Sequence, residues 1–297
     1  MKDTSSVVSA EQDKKLSKPA DYSRRAVELF SVPEVATKIK RLSDSGKASI
    51  QEIANIVLLD PGLAAQILKL ANSAIYRFSK KIETIDKAIQ IIGVRAVYEY
   101  ALVFSVFNML KDEHSKHIDV ARFWRQSVRC SLLGKELATL CGEKDVQRIV
   151  SFGLLHNVGE LAVLRVTPNL LSACNQLDKN TNAKNSQIQT LGFTFADISA
   201  SLLQRWMLPD SIVSNVAGQH HEDRPSFNME TRIMQLAYQV TMVLTYPNIY
   251  QFDMHVPSFL YQCLDLRAEQ IIELLATVEK ESNETLGLFL SDSNRAA

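Results

Sequence analysis

The chain has 297 residues, 46% of them hydrophobic and 22% charged, which is enough apolar material to bury a core in one large domain or two smaller ones. Its 33 basic and 33 acidic residues cancel to a formal net charge of +0. Without a basic excess there is little to displace counterions from nucleic-acid phosphates, so nucleic acid is excluded as the expected partner.

Four cysteines, Cys130, Cys141, Cys174 and Cys263, are scattered with no CxxC pair and read as reduced, mostly core thiols. The N-terminal stretch MKDTSSVVSAEQDKKLSKPADYSRR has no apolar segment of the signal-peptide kind. The nearest approach to a membrane span, the apolar run Ala101 to Leu110, is interrupted by Ser105 and Asn108 and falls short of the roughly 18–20 residues required. A soluble, cytoplasmic protein that engages no membrane is expected.

In chain order, residues 1–22 are polar and Ser/Lys-rich and read as a disordered tail. Ser49 stands three residues before Glu52, a capping box for a helix with Ile50, Ile53, Ile56 and Val57 on one face. Asp60-Pro61 supplies an N-cap and a first-turn proline for the next helix, which carries Leu63, Ala64, Ile67, Leu68 and Ala71. Thr84 caps a short helix carrying Ile85, Ala88, Ile89 and Ile92 that Gly93 closes, and Val94, Val97, Tyr98, Ala101 and Leu102 define a longer one reaching about Leu110. The charged stretch KDEHSKHIDV marks a junction between two lobes, with Lys111 to His117 a solvated connection.

The second lobe opens at Asp119 with a helix through Phe123, Trp124, Ser127 and Leu132 that stops by Gly142. A helix from about Asp145 carries Ile149, Phe152 and His156, and Thr194 with Asp197 forms a second capping box ahead of Ile198, Leu202, Leu203 and Trp206. Pro209 restarts a helix with Ile212, Val213, Val216 and His220 on one face, and Ile233, Leu236, Ala237, Val240 and Leu244 mark another. Gln270 to Lys280 forms a terminal helix. Sustained apolar/polar alternation and hairpin dipeptides are both missing, so the fold class is all-α. No fixed-period repeat suggests a stacked array.

Several long motifs follow one another in the first lobe. SIQEIANIVLLDPGLAAQILKLANSAIY precedes KIETIDKAIQIIGVRAVYEYAL, and in the second lobe FWRQSVRCSLLGKELA, GLLHNVGELAVL and GFTFADISASLLQRWMLPDSIVSNVAGQHH occur in that order. Over roughly residues 22–245 the sequence resembles the HDOD (HD-related output domain) family, in particular in the DPxLxxxxLxLxNSAxY run from Asp60 to Tyr76 and in IxTIxxAIxxIG from Ile82 to Gly93. The resemblance implies an N-terminal helical lobe at 23–118 packed on an HD-like helical lobe at 119–247; beyond it, 248–297 reads as a C-terminal helical extension. It also implies a bacterial regulatory protein whose module works as an output or interaction domain rather than as an enzyme.

Catalytic relatives with HD domains hold divalent metals on a helix-borne His, an adjacent His-Asp pair and a later Asp. Such a mixture suits the chemistry, because imidazole binds transition metals while carboxylates neutralise the cation and leave bound water acidic enough to attack phosphorus. Carried onto this sequence, only His156 matches; the pair reads His156-Asn157, the first His falls at Gln126 and the later Asp falls near Tyr238. The Lys often found in the LLHDIGK stretch is Glu160. His220 and His221 follow the helix after Pro209, but neighbours on a helix diverge by roughly 100°, so one is expected inside and the other at the surface, its cation suited to the helix end. His156 is expected as a core histidine hydrogen-bonded across the vestigial pocket, with Asn157 keeping the shape of the Asp and donating where it accepted. Trp124 and Trp206 read as core residues, and Cys130 and Cys141 as structural thiols.

No catalytic residue, metal or cofactor is therefore expected, and the chain carries no P-loop, GxGxxG, GxSxG or HExxH motif. The expected function is a non-enzymatic signalling module that binds regulatory proteins, with receivers, histidine kinases and cyclic-di-GMP enzymes as candidates, docking on a separate protein because no sensor or receiver segment precedes it. The oligomeric state is left open. Two rivals remain: a small-molecule or nucleotide sensor using the vestigial pocket, and a metal-dependent phosphohydrolase with unconventional ligands.

Overall fold

The computed structural model describes residues 15–29, 34–46, 49–111, 117–178, 181–222 and 228–290, and these contain helices and no strands. The first helices are α1 (Pro19–Leu29), α2 (Glu34–Ser45), α3 (Ile50–Val57), α4 (Pro61–Ala71), α5 (Ile85–Ile92) and α6 (Val94–Lys111). A second group comprises α7 (Val120–Leu140), α8 (Val146–Leu155), α9 (Val158–Val166), α10 (Pro168–Cys174), α11 (Ala183–Leu191), α12 (Phe195–Arg205), α13 (Asp210–Ala217), a 3₁₀ turn (Gly218–His220) and α14 (Met229–Thr245). Two short helices, α15 (Phe252–His255) and α16 (Ser258–Gln262), lead into the long α17 (Ala268–Leu290).

Caps set these boundaries. Ser49 and Glu52 make a reciprocal capping box on α3, and Thr194 and Asp197 make another on α12. Asp60 accepts from the Leu63 amide with Pro61 at the first turn of α4, and Asp119 caps α7. Thr84 is the exception to expectation: it stands at the N-cap position of α5, but its side chain makes no capping bond.

In the first lobe α2 packs on α6, and α5 sits against α3 and α4. Asn72, within the NSAxY motif, donates to the carbonyls of Leu68 and Ile82 at 2.8 Å each and accepts from the Ile82 amide at 2.8 Å. One amide side chain thus pins the loop between α4 and α5. The lobes meet where α6 lies against α8 and α9. Across the junction the Tyr98 hydroxyl donates to the Trp206 carbonyl at 2.9 Å, and the Lys135 ammonium donates to the Ile75 carbonyl at 2.7 Å. Trp124 and Trp206 are both core residues. Part of the charged junction, residues 112–116, lies outside the described residues.

Three further expectations need correction. The tail was expected to run to residue 22, yet α1 begins at Pro19 and its Tyr22 is fully buried; residues 1–14 lie outside the described ones. This helix packs on α12 and α9 of the second lobe. Beside the buried Tyr22 and Ala26, it is held by polar contacts that apolar periodicity does not reveal: Ser23 to Ser201 at 2.8 Å, Arg205 to Ser23 at 2.9 Å and Thr167 to the Tyr22 hydroxyl at 3.2 Å. Secondly, Ala101–Leu110 is not the nearest approach to a membrane span, because an 18-residue window within Val146–Val166 reaches a mean hydropathy of 1.4. That stretch is two helices broken at His156-Asn157 and buried inside the protein, and its apolarity serves the core. Finally, the terminal helix runs well beyond Gln270–Lys280. Its Glu279 forks onto Arg129 of α7 at 2.5 and 2.6 Å, and Glu281 takes a fork from Arg77, just after α4, at 2.8–3.1 Å. The extension therefore ties both lobes together.

Cys130 and Cys174 are buried as expected, Cys141 is half-buried and Cys263 is exposed, so the last is not a core thiol. Burial pushes the Cys130 thiol up to about 12.

Candidate functional site

Helices α7, α8, α9 and α14 bring Gln126, His156, Asn157 and Tyr238 around one small interior cavity. The break between α8 and α9 creates the site: His156 closes α8 and Asn157 begins α9. The His156 Nδ1 lies 2.7 Å from the Gly153 carbonyl, so it carries the proton and donates, leaving Nε2 as an acceptor. Its partner is thus its own preceding turn rather than a group across the pocket.

Asn157 donates through Nδ2 to the Glu160 carboxylate at 2.6 Å. Glu160 is fully buried, and it also accepts from Asn175 at 2.9 Å and from the Arg122 guanidinium. Arg122 lies one turn before Gln126 on α7 and donates to that side chain's oxygen at 3.0 Å, while the Gln126 amide nitrogen approaches the Met242 sulfur at 3.6 Å. Burial opposes the Arg122 charge, but the neighbouring Glu160 and then Tyr246 outweigh it and hold its pKa above the ordinary value. The centre of the site is therefore an internal, fully hydrogen-bonded ion pair. Arg122 and Glu160 as a pair are not signalled by the metal-ligand pattern.

Tyr238 stands between the histidines, its ring edge-on to His156 at 5.9 Å and to His220 at 4.8 Å between centroids. His220 is buried at the end of the 3₁₀ turn, whereas His221 caps that turn and is half-buried. The inward member is not the cation that a helix end favours, because burial, with Lys184 adding to it, depresses its pKa to about 3. Burial likewise takes His156 to about 4, against the opposing pull of the Gly153 hydrogen bond and Glu160.

Both imidazoles are thus neutral when folded but titrate near 6.5 when unfolded. The unfolded state takes up protons first, so their contribution is whole above about pH 6.5 and is lost as pH falls toward about 4 for His156 and about 3 for His220. Glu99 on α6 runs the other way: burial pushes its carboxyl up to about 7, and it gains stability as pH falls from there through the ordinary carboxylate range. The histidines win. Urea unfolding is expected to show about 2 kcal/mol less stability at pH 5 than at pH 7.5, with a flatter profile in His220→Gln. Equal or greater stability at the lower pH would contradict this account.

A family model for the HDOD domain matches residues 29–222. The chain belongs to the HDOD domain family. Solved structures with this fold include an HDOD domain protein of unknown function from Geobacter sulfurreducens, with TM-score 0.68, 18% identity and coverage of 92% of this chain and 98% of that one. A presumed phosphohydrolase from Shewanella amazonensis SB2B superposes with TM-score 0.66 at 20% identity, covering 90% and 97% of the two chains. A presumed signal transduction protein from Marinobacter aquaeolei VT8 gives TM-score 0.64 at 20% identity, covering 91% and 65%. An uncharacterized protein of Treponema pallidum (strain Nichols) is 24% identical over 207 residues, or 68% of this chain. The match spans only 39% of that relative's length. The solved structures establish the fold, and HDOD membership points in outline to a regulatory role.

The residues present do not fit the metal that catalytic HD relatives hold. Among the described residues no group of three or more His, Cys, Asp or Glu side chains is placed to hold an ion. Both Glu160 oxygens are taken by Arg122, Asn157 and Asn175, the Asn157 amide nitrogen donates, and the Gln126 oxygen is occupied by Arg122. Burial holds Tyr238 well above its ordinary pKa, so it offers a neutral phenol where the relatives have a carboxylate. Among the described residues at the aligned positions, the His156 Nε2 is the one imidazole nitrogen left, with no free carboxylate beside it, and one imidazole does not make a divalent-metal site.

Proposed function

We propose that this HDOD protein is a non-enzymatic signal-transduction module that acts by binding regulatory proteins, with receivers, histidine kinases and cyclic-di-GMP enzymes as candidate partners. The observation that carries the reading is the Arg122–Glu160 pair, which supplies positive charge from the protein's own chain beside His156 and Asn157. A buried anion already neutralised by a guanidinium has no need of a dication. The cavity beside it, about 20 Å³, holds a water molecule or two and leaves no space for a nucleotide.

Protein purified without chelator is expected to contain Fe, Mn, Zn and Ni at well below one atom per chain. Adding Mn²⁺ or Fe²⁺ should produce no hydrolysis of phosphomonoesters or cyclic dinucleotides above that of His156→Ala. One bound metal per chain that disappears in His156→Ala, together with metal-dependent turnover, would overturn the non-enzymatic part. The interaction part is checked by calorimetric titration against receiver, kinase and cyclic-di-GMP enzyme domains from the native cell. Failure to bind any of them, with a pull-down that recovers no regulatory protein, would count against it.

A further inference from the structure

Tyr238 separates two unequal spaces. On one side is the small cavity with His156; on the other a surface cleft of about 260 Å³ is lined by residues that include Asn182, His220, Glu222, Gln239, Tyr250 and His255. The cleft approaches the roughly 300–1,000 Å³ typical of small-ligand sites. Tyr238 is more than nine-tenths buried, and among the described residues its hydroxyl has no hydrogen-bond partner. It lies within the electrostatic reach of Tyr250, Tyr246 and Glu222. A buried phenol that lines a cleft without a partner is an open donor and acceptor.

The remaining chemistry of the walls narrows what fits. Tyr250 and His255 lie with ring centroids 5.2 Å apart, and His220 is edge-on to Tyr238, so aromatic surface is plentiful. The charges are already satisfied. Lys184, also in the wall, donates to the His220 carbonyl at 2.5 Å and lies 3.5 Å from Glu222, whose other oxygen accepts from the Gln239 amide at 2.9 Å. No excess cation is left for a phosphate, and no excess carboxylate for a metal or an amine. The Gln239 carbonyl and the Asn182 amide nitrogen add a neutral acceptor and a neutral donor, since Gln239 bonds through its nitrogen and Asn182 through its oxygen.

We infer that this cleft binds a neutral, planar heterocycle of one or two rings that carries both hydrogen-bond donors and acceptors, one of them on the Tyr238 hydroxyl. The inference goes beyond the partner-binding role and does not depend on the absence of hydrolysis.

The test is calorimetric titration of the full chain with nicotinamide, uracil and adenine, and with adenosine monophosphate as the anionic counterpart. At least one neutral ring is expected to bind with a dissociation constant below about 1 mM. Tyr238→Phe keeps the ring contacts with both histidines and removes only the hydroxyl, and it should weaken that binding about tenfold. Gln239→Ala, at the outer wall, should weaken it as well. The monophosphate should bind no better than its base, because Glu222 faces the cleft. Absence of binding by all three rings would overturn the inference. So would affinity unchanged in both variants, or a monophosphate that outbinds adenine. Equal melting temperatures of wild type and Tyr238→Phe without ligand would establish that a lost affinity is not a lost fold.

Discussion

Arg122→Ala is expected to destabilise the protein by about 3–5 kcal/mol, measured as the free energy of urea unfolding at neutral pH. The loss follows from what stays behind: Glu160 is fully buried, and its remaining partners Asn157 and Asn175 donate hydrogen bonds but carry no charge. Glu160→Ala should cost a comparable amount by stranding the guanidinium, which is largely buried against Gln126 and Tyr246. The paired replacement Arg122→Met with Glu160→Leu should recover most of the loss, since two apolar side chains leave no charge to solvate. Arg122→Lys should rescue only in part, because a single ammonium cannot reach both Glu160 and Gln126 as a planar fork does. A loss below about 1 kcal/mol for Arg122→Ala would mean that the pair is solvated and that the argument against a metal has lost its main support.

Gly159→Ala and Gly153→Ala should be comparably harmful, although an exposed glycine-to-alanine change within a helix ordinarily stabilises by up to about 1 kcal/mol. A Cβ at Gly159 would lie 2.2 Å from the Phe195 carbonyl oxygen and 2.8 Å from the Ser199 amide nitrogen. At Gly153 it would lie 2.4 Å from both the Ser131 Cα and amide nitrogen. These are backbone atoms of α12 and α7, which cannot rotate away as a side chain can. At Gly159 the helix separation must also preserve the bond from its amide to the Ser199 hydroxyl at 2.7 Å. A loss of about 3 kcal/mol or more is expected for each, because overpacking against backbone lies at the upper end of its usual range. Thermal unfolding would check it; melting temperatures equal to or above wild type would show that the helices separate freely.

Local signals in the sequence carried much of the architecture. Ser49 with Glu52, Asp60 with Pro61, Asp119 and Thr194 with Asp197 each fixed a helix start through side-chain chemistry confined to one turn. What depends on distant partners was not legible. The packing of α1 on the second lobe rests on Ser23, Ser201 and Arg205, far apart in sequence and ordinary in composition. Within the site, His156, Asn157, Gln126 and Tyr238 do gather at one cavity, but Arg122 holds no position in the family's metal-ligand pattern. A signal for it did exist. Glu160 sits in an apolar helix, where an unpaired carboxylate would be prohibitive, and Arg122 precedes Gln126 by four residues on one helix face.

The HDOD pattern covers residues 29–222, but the hydrophobic core does not stop there. Tyr22 lies before it, and Leu260, Ile271 and Val278 lie after it, all fully enclosed. Trimming the polypeptide to the recognised borders would strip the forks from Arg77 and Arg129 and uncover the flank of α7, the same helix that holds Arg122 in place. The cooperative unit is larger than the segment by which the family is known, and the sequence flanking that segment is part of the scaffold.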